Sequence, residues 1–147
     1  MDQPSSESES ITSYLRLEWL EDRRVVALVL SELPNTNLRA AIDTWIEQLD
    51  RLYHAWPADQ PFLCINDLST VQPSLIANPY LKGRLQTFSD QHTGDGKSKA
   101  MGMILARNTM THLTRLIARP EQEEMRQNYF FGREDAVRWL LGLYADS

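Results

Sequence analysis

From Tyr14 to Leu20 the chain reads YLRLEWL, with Leu15, Leu17 and Trp19 alternating against Arg16 and Glu18. That period of two predicts a strand with one wet face. After a polar EDRR turn, Val25 to Leu30 is apolar at every position, as expected of a strand covered on both sides. The two together predict an antiparallel hairpin. From Thr36 the period lengthens. Leu38, Ala41, Ile42, Trp45, Ile46, Leu49, Leu52, Tyr53 and Trp56 recur at three and four, opposite Asp43, Glu47, Asp50 and Arg51. This predicts an amphipathic helix, capped by Thr36 or Asn37 and ended by Pro57 and Pro61.

FLCIN, residues 62–66, is the third predicted strand. A polar run follows it until Asn78 and Pro79, which suit an N-cap and a first helical position, ahead of an apolar stripe of Leu81, Leu85 and Phe88 that Gly83 weakens. DQHTGDGKSK reads as a mobile polar connection into a fourth strand, AMGMILA. Asn108 or Thr109 then caps a helix carrying Met110, Leu113, Leu116 and Ile117. QNYFF reads as a short fifth strand. Gly132 leads into REDAVRWLLGLY, with Glu134 and Asp135 in the first turn, where the helix dipole favours them, and Val137, Leu140, Leu141 and Tyr144 on the inner face. Trp45 and Trp139 fall on inward stripes and are expected in the core. Trp56, near a helix end, is expected at a partly exposed contact.

Alternation of strand and helix argues for an α/β fold. The expectation is a mixed, mostly parallel central sheet of about five strands with an N-terminal antiparallel hairpin and about four helices. The chain has 147 residues, enough for a single domain over residues 13–145 that hides about 70% of its unfolded surface. Residues 1–12 are acidic and serine-rich, and are expected to be a disordered tail.

Charge and composition narrow the function. A net charge of -5 gives no default affinity for nucleic acid, because phosphate binding needs a basic face. No apolar run reaches the roughly 18 residues of a membrane span. With one cysteine, Cys64, inside an apolar stretch, no intramolecular disulfide can form. The expectation is a cytoplasmic protein without membrane insertion.

No catalytic motif is complete. Gly96-Lys97-Ser98 imitates the end of a phosphate-binding loop, but Gln91 stands where that motif needs its first glycine, and the loop opens a strand instead of a helix. His54, His92 and His112 are scattered and Cys64 has no thiol partner, so no metal or cofactor is expected. No serine elbow or cysteine with a base occurs. Asp43, Glu47 and Asp50 share a helix face with Arg51 and read as a solvated surface. The informative stretch is the one after the third strand. Asp67, Ser69, Thr70 and Ser74, with Asn78 and Tyr80 at the next helix start, lie at a strand's carboxyl end, where open α/β sheets bind ligands and partners. The connection is also long for its place. Against this, Asp67 and Ser69 are both ordinary turn formers.

INDLSTV, the helix opening NPY, AMGMILA and the closing NYFFGREDAVRWL together resemble the STAS-like superfamily of anti-sigma-factor antagonists. More closely, they are similar to its bacterial SpoIIAA-like branch related to CRAL-TRIO lipid-binding domains. The likeness spans residues 13–144. It implies a non-enzymatic regulatory module that binds another protein through the 67–80 segment, and it allows a homodimer. Antagonists of this type are switched by serine phosphorylation in an Asp-Ser-Ser-Gly-like turn. Here the matching region reads QPSLIANPY, leaving Ser69 and Ser74 as the nearest hydroxyls. The CRAL-TRIO relationship implies an alternative, a carrier or sensor of a small apolar or lipid-like ligand, lined by Met101, Met103 and Leu105. An enzyme would need Asp67 as its perturbed acid or base.

Overall fold

The structure, a computed structural model, describes residues 7–107 and 125–143. Six strands form one sheet in sequential order: β1 (Glu7–Thr12), β2 (Leu15–Leu20), β3 (Val25–Leu30), β4 (Phe62–Asp67), β5 (Lys99–Ile104) and β6 (Met125–Phe130). β1, β2 and β3 pair antiparallel, and β3 through β6 are parallel. Among the described residues the α-helices are α1 (Leu38–Ala55), α2 (Pro79–Gln91) and α3 (Arg133–Leu143). This is the expected mixed α/β architecture with one more strand. The helix expected over Asn108 to Ile117 lies outside the described residues.

The extra strand corrects the reading of the N-terminus. Glu7–Thr12 pairs with β2 through a register shift between Ser10 and Thr12, where a disordered tail and a domain starting at Ser13 were expected. ESESIT carries no apolar period because it is an edge strand: Ser8, Glu9 and Ser10 are exposed, Ile11 packs against the core, and backbone pairing places the rest.

Side-chain alternation along the parallel strands builds two cores. Val26 and Leu28 of β3, Phe62 and Cys64 of β4, and Met101 and Met103 of β5 pack with α1 and α2. Their neighbours Val25, Ala27, Leu63, Ile65, Ala100 and Ile104 pack with Ala136 and Leu140 of α3. Of the inner face expected for that helix, Leu140 is fully buried, Val137 and Leu141 are only partly covered, and Tyr144 lies outside the described residues. Burial raises the Cys64 thiol far above its usual range, so it is an inert core side chain.

Two tryptophans differ from expectation. Trp56 is 5% exposed, stacked on Trp19 at 5.7 Å and edge-on to Phe62 at 5.0 Å. Trp139 is half-buried against Phe130 at 5.6 Å, because α3 rests on the sheet through Ala136 and Leu140 and leaves Trp139 at its flank. The EDRR turn is also unusual: Glu21, Asp22 and Arg23 all have positive φ, at about 1–2 kcal/mol each for side-chain-bearing residues. Arg23 lies 4.6 Å over the Trp19 ring.

One polar residue sits in the core of the central strand. Asn66 is fully buried, accepts a 2.9 Å hydrogen bond from Trp45 Nε1 and faces Met101 Sδ at 3.5 Å. Trp45→Phe removes the donor and leaves the Asn66 carbonyl oxygen unsatisfied. It should cost on the order of 1–3 kcal/mol in urea unfolding with an unchanged slope. An unchanged midpoint would contradict this pairing.

Candidate functional site

The carboxyl end of β4 runs directly into the polar segment. The Leu68 amide donates to Ile104 O at 2.8 Å, extending the ladder one step past Asp67. Asp67 Oδ1 then accepts from the Ser69 amide at 3.0 Å and the Ser69 hydroxyl at 2.7 Å. This is a side-chain-closed turn. The other carboxylate oxygen lies 3.6 Å from Arg133 Nη2 at the start of α3. Arg133 Nη1 reaches Glu18 Oε1 at 2.6 Å, and Arg16 reaches Glu18 Oε2 at 2.8 Å. Burial works to raise the Glu18 carboxyl, and hydrogen bonds from Arg133 and Arg16 outweigh it, holding the group below its usual range. Arg133 therefore ties the end of β4 to β2 from the α3 side.

The rest of the segment is clamped to the chain that follows β3. Thr70 Oγ1 donates to Leu30 O at 3.0 Å. The Gln72 side chain accepts from the Leu33 amide and donates to Leu33 O, both at 3.0 Å, and donates to Asn35 Oδ1 at 3.2 Å. A 3-10 turn over Pro73–Ala77 buries Leu75 and Ile76 beneath it. Asn78 Oδ1 caps α2 by accepting from the amides of Tyr80 at 2.8 Å and Leu81 at 3.1 Å. This is the expected cap with Pro79 behind it. No such bond exists at α1, whose N-cap Asn37 uses no side chain. The Tyr80 hydroxyl donates to Asp43 Oδ1 at 2.6 Å, a bond that raises its ionisation above the usual value. Arg84 Nε approaches the same oxygen at 3.0 Å, and Arg39 covers the Tyr80 ring at 4.7 Å.

The candidates therefore divide. Asp67, Ser69, Thr70, Asn78 and Tyr80 all make fixed intramolecular bonds. Ser74 alone is exposed with no hydrogen bond among the described residues. Ser69 already donates into Asp67, so Ser74 is the presented hydroxyl of the two serines. Asp67 and Ser69 have no histidine in contact among the described residues, and the Asp67 carboxylate is engaged by Ser69 on one oxygen and Arg133 on the other. Met101, Met103 and Leu105, the strand proposed to line an apolar pocket, are each 1% exposed and packed in the core with α1 and α2.

A second polar cluster, at the opposite ends of the strands, escaped the sequence reading. The DQHTGDGKSK connection folds around Asp95, with Gly94 and Gly96 at φ 84° and 80° giving the left-handed turns glycine permits. Asp95 Oδ1 accepts from the Lys97 amide at 2.9 Å and from Lys99 Nζ at 3.1 Å, while Oδ2 accepts from the Tyr53 hydroxyl. Lys99 is 2% exposed, and Lys97 Nζ donates to Tyr53 O at 2.9 Å, so the lysine of the GKS triplet is already engaged. His92 is wedged beside Tyr53 with Nε2 at 3.0 Å from Asp50 Oδ1 and Nδ1 at 3.8 Å from Asp95 Oδ2. Both ring nitrogens face carboxylates, which leaves none directed at a substrate. Two of the scattered histidines converge, His54 lying 5.4 Å from His92 between ring centroids, and His112 lies outside the described residues. Among the described residues no group of three ligands is placed to hold a metal ion. The signal in sequence was only Asp50, Tyr53 and His54 on one helical face. Their partners lie about 40 residues away.

Partial burial pushes the Asp95 carboxyl up, but the bonds from Tyr53, the Lys97 amide and Lys99 prevail and hold it at about 2. A depressed carboxylate contributes stability above its unfolded value near 3.8, and that stability is lost as pH falls towards 2. Asp95→Asn should destabilise the protein by roughly 0.5–1 kcal/mol at pH 7, since solvent screens the bonds of this exposed carboxylate. The difference from the parent should close between pH 4 and 2 in urea titrations at several pH values; a pH-independent difference would contradict the assignment. Comparison with family models, curated proteins and solved structures finds no match to this chain.

Proposed function

We propose that this chain is a non-enzymatic interaction module of STAS-like type that binds another protein through residues 67–80 and the first turn of α2. The observation that carries the reading is the Gln72 clamp, whose three bonds to Leu33 and Asn35 hold a long connection rigid from beneath. A preordered surface loses little conformational freedom on binding, which favours recognition. The anchors Leu75 and Ile76 face inward, leaving Pro73, Ser74 and Pro79 exposed along the outer side. The polar groups beneath serve the scaffold. An N-terminal hairpin feeding a parallel sheet is also the architecture that the STAS-like resemblance implies.

A regulatory role fits the same surface. Phosphate on Ser74 would add nearly two negative charges to the presented face without breaking an internal bond. Phosphate on Ser69 would have to displace the Asp67 contact. A carrier of a small apolar ligand would require Met101, Met103 and Leu105 to part from α1 and α2, and nothing in their packing favours that.

Photocrosslinking tests the surface directly. A benzophenone amino acid at position 74, expressed in the source cells, should give a discrete heavier adduct. The same group at Glu21, on the distant hairpin turn, should not. An adduct of twice the chain mass would make the partner a second copy. No adduct at 74, or equal adducts at both positions, would remove residues 67–80 from the binding surface.

A further inference from the structure

β1 ends the sheet, and among the described residues nothing pairs with its outer edge. Such an edge offers a row of backbone donors and acceptors to any extended segment. Beside it the hairpin overhangs α1 and leaves a half-open groove of about 430 Å³. Ile11, Leu17, Trp19 and Leu52 line it together with the polar Ser10 and Gln48, and Glu9 on the β1 rim faces Arg51 on the helix rim. The Trp19 wall is held rigid by Trp56 stacked at 5.7 Å and by Arg23 at 4.6 Å. Edge and groove are independent features on one flank.

Charge decides what can use them. Residues 1–15 carry Asp2, Glu7 and Glu9 and no lysine or arginine. A second copy pairing through β1 would set acidic strands side by side, and like charges across a ladder oppose pairing. A basic strand meets the opposite condition. Glu9 pairs with Leu17 in register and lines the groove with Ile11, so both side chains lie on the groove side of β1. A strand added there places a side chain opposite Glu9 and another, two positions along, beside Ile11, which the register shift between Ser10 and Thr12 leaves as the bulged residue.

We infer that β1 is a β-augmentation site for an extended segment of a partner protein in which a lysine or arginine stands two positions from a large apolar residue. The cation pairs with Glu9, the apolar side chain enters the groove against Trp19 and Leu52, and backbone bonds supply the rest. This surface lies apart from residues 67–80 and does not depend on them.

The probes are two designed peptides, acetyl-TKTLTKT-amide and acetyl-TETLTET-amide, titrated into the full chain and followed by amide NMR. The basic peptide should shift and protect amides of residues 8–12, and the acidic one should not bind. Glu9→Lys, an exposed change compatible with folding, should weaken the basic peptide about three- to tenfold and admit the acidic one. Four outcomes would overturn the inference: no binding of the basic peptide at millimolar concentration, equal binding of both peptides, shifts confined to other residues, or concentration-dependent protection of residues 8–12 without peptide, which would make the edge a self-pairing one.

Discussion

A single buried hydrogen bond, from Trp45 Nε1 to Asn66 Oδ1, orders much of this molecule. β4 is hydrogen-bonded on both edges and covered on both faces, so a polar side chain within it needs an internal partner. Trp45 supplies that partner from the middle of α1. The pairing fixes how α1 lies on the sheet, since sliding the helix by one turn would leave an amide unsatisfied in the core. It also marks where the apolar part of β4 stops, and Asp67, the next residue, emerges towards Arg133 on the other face.

From that point the polar residues serve two ends of the sheet in the same manner. At the carboxyl ends, Asp67 and Gln72 draw the 67–80 segment down onto the chain after β3. At the amino ends, Asp95 gathers Tyr53, Lys97 and Lys99 and seats His92 against Asp50. Neither group leaves a base or nucleophile aimed into open space. Polar side chains with fixed internal bonds rigidify what they touch, and here they order the surfaces at both ends of the sheet. The exposed groups that remain, Ser74 on one edge and the acidic strand β1 on another, are of the kind that recognition uses.

Much of the fold was legible because its signals are local. The unbroken apolar runs of β3 and β4 mark doubly covered strands, and the stripe from Leu38 to Trp56 marks α1, since burial on one or two faces writes itself into residue period. Asn78 with Pro79 marked the start of α2 by chemistry confined to four residues. β1 was not legible, because an edge strand is held by backbone bonds that no side-chain period records. Trp139 shows the opposite failure: its spacing read as an inward stripe, yet α3 rests on the sheet through Ala136 and Leu140, a choice of contact made by the sheet and invisible in the helix. The polar segment after β4 was legible as a long connection and its internal wiring was not, since Gln72 meets Leu33 and Asp67 meets Arg133 across long stretches of chain. The same holds for Asp95 and His92, whose loop reads as a flexible linker until Tyr53 and Asp50 are brought beside it.

The account rests on residues 67–80 being ordered before any partner arrives. Site-resolved amide hydrogen exchange at neutral pH tests that most directly, with the amides of Leu33, Leu75, Asn78 and Leu81, each hydrogen-bonded within or against the segment, as reporters. They should exchange slowly, within about tenfold of the amides of β4, because they open only when the packing beneath them does. Exchange at the rate of an unstructured peptide while β4 stays protected would show a loose loop, and the preformed binding surface would have to be abandoned.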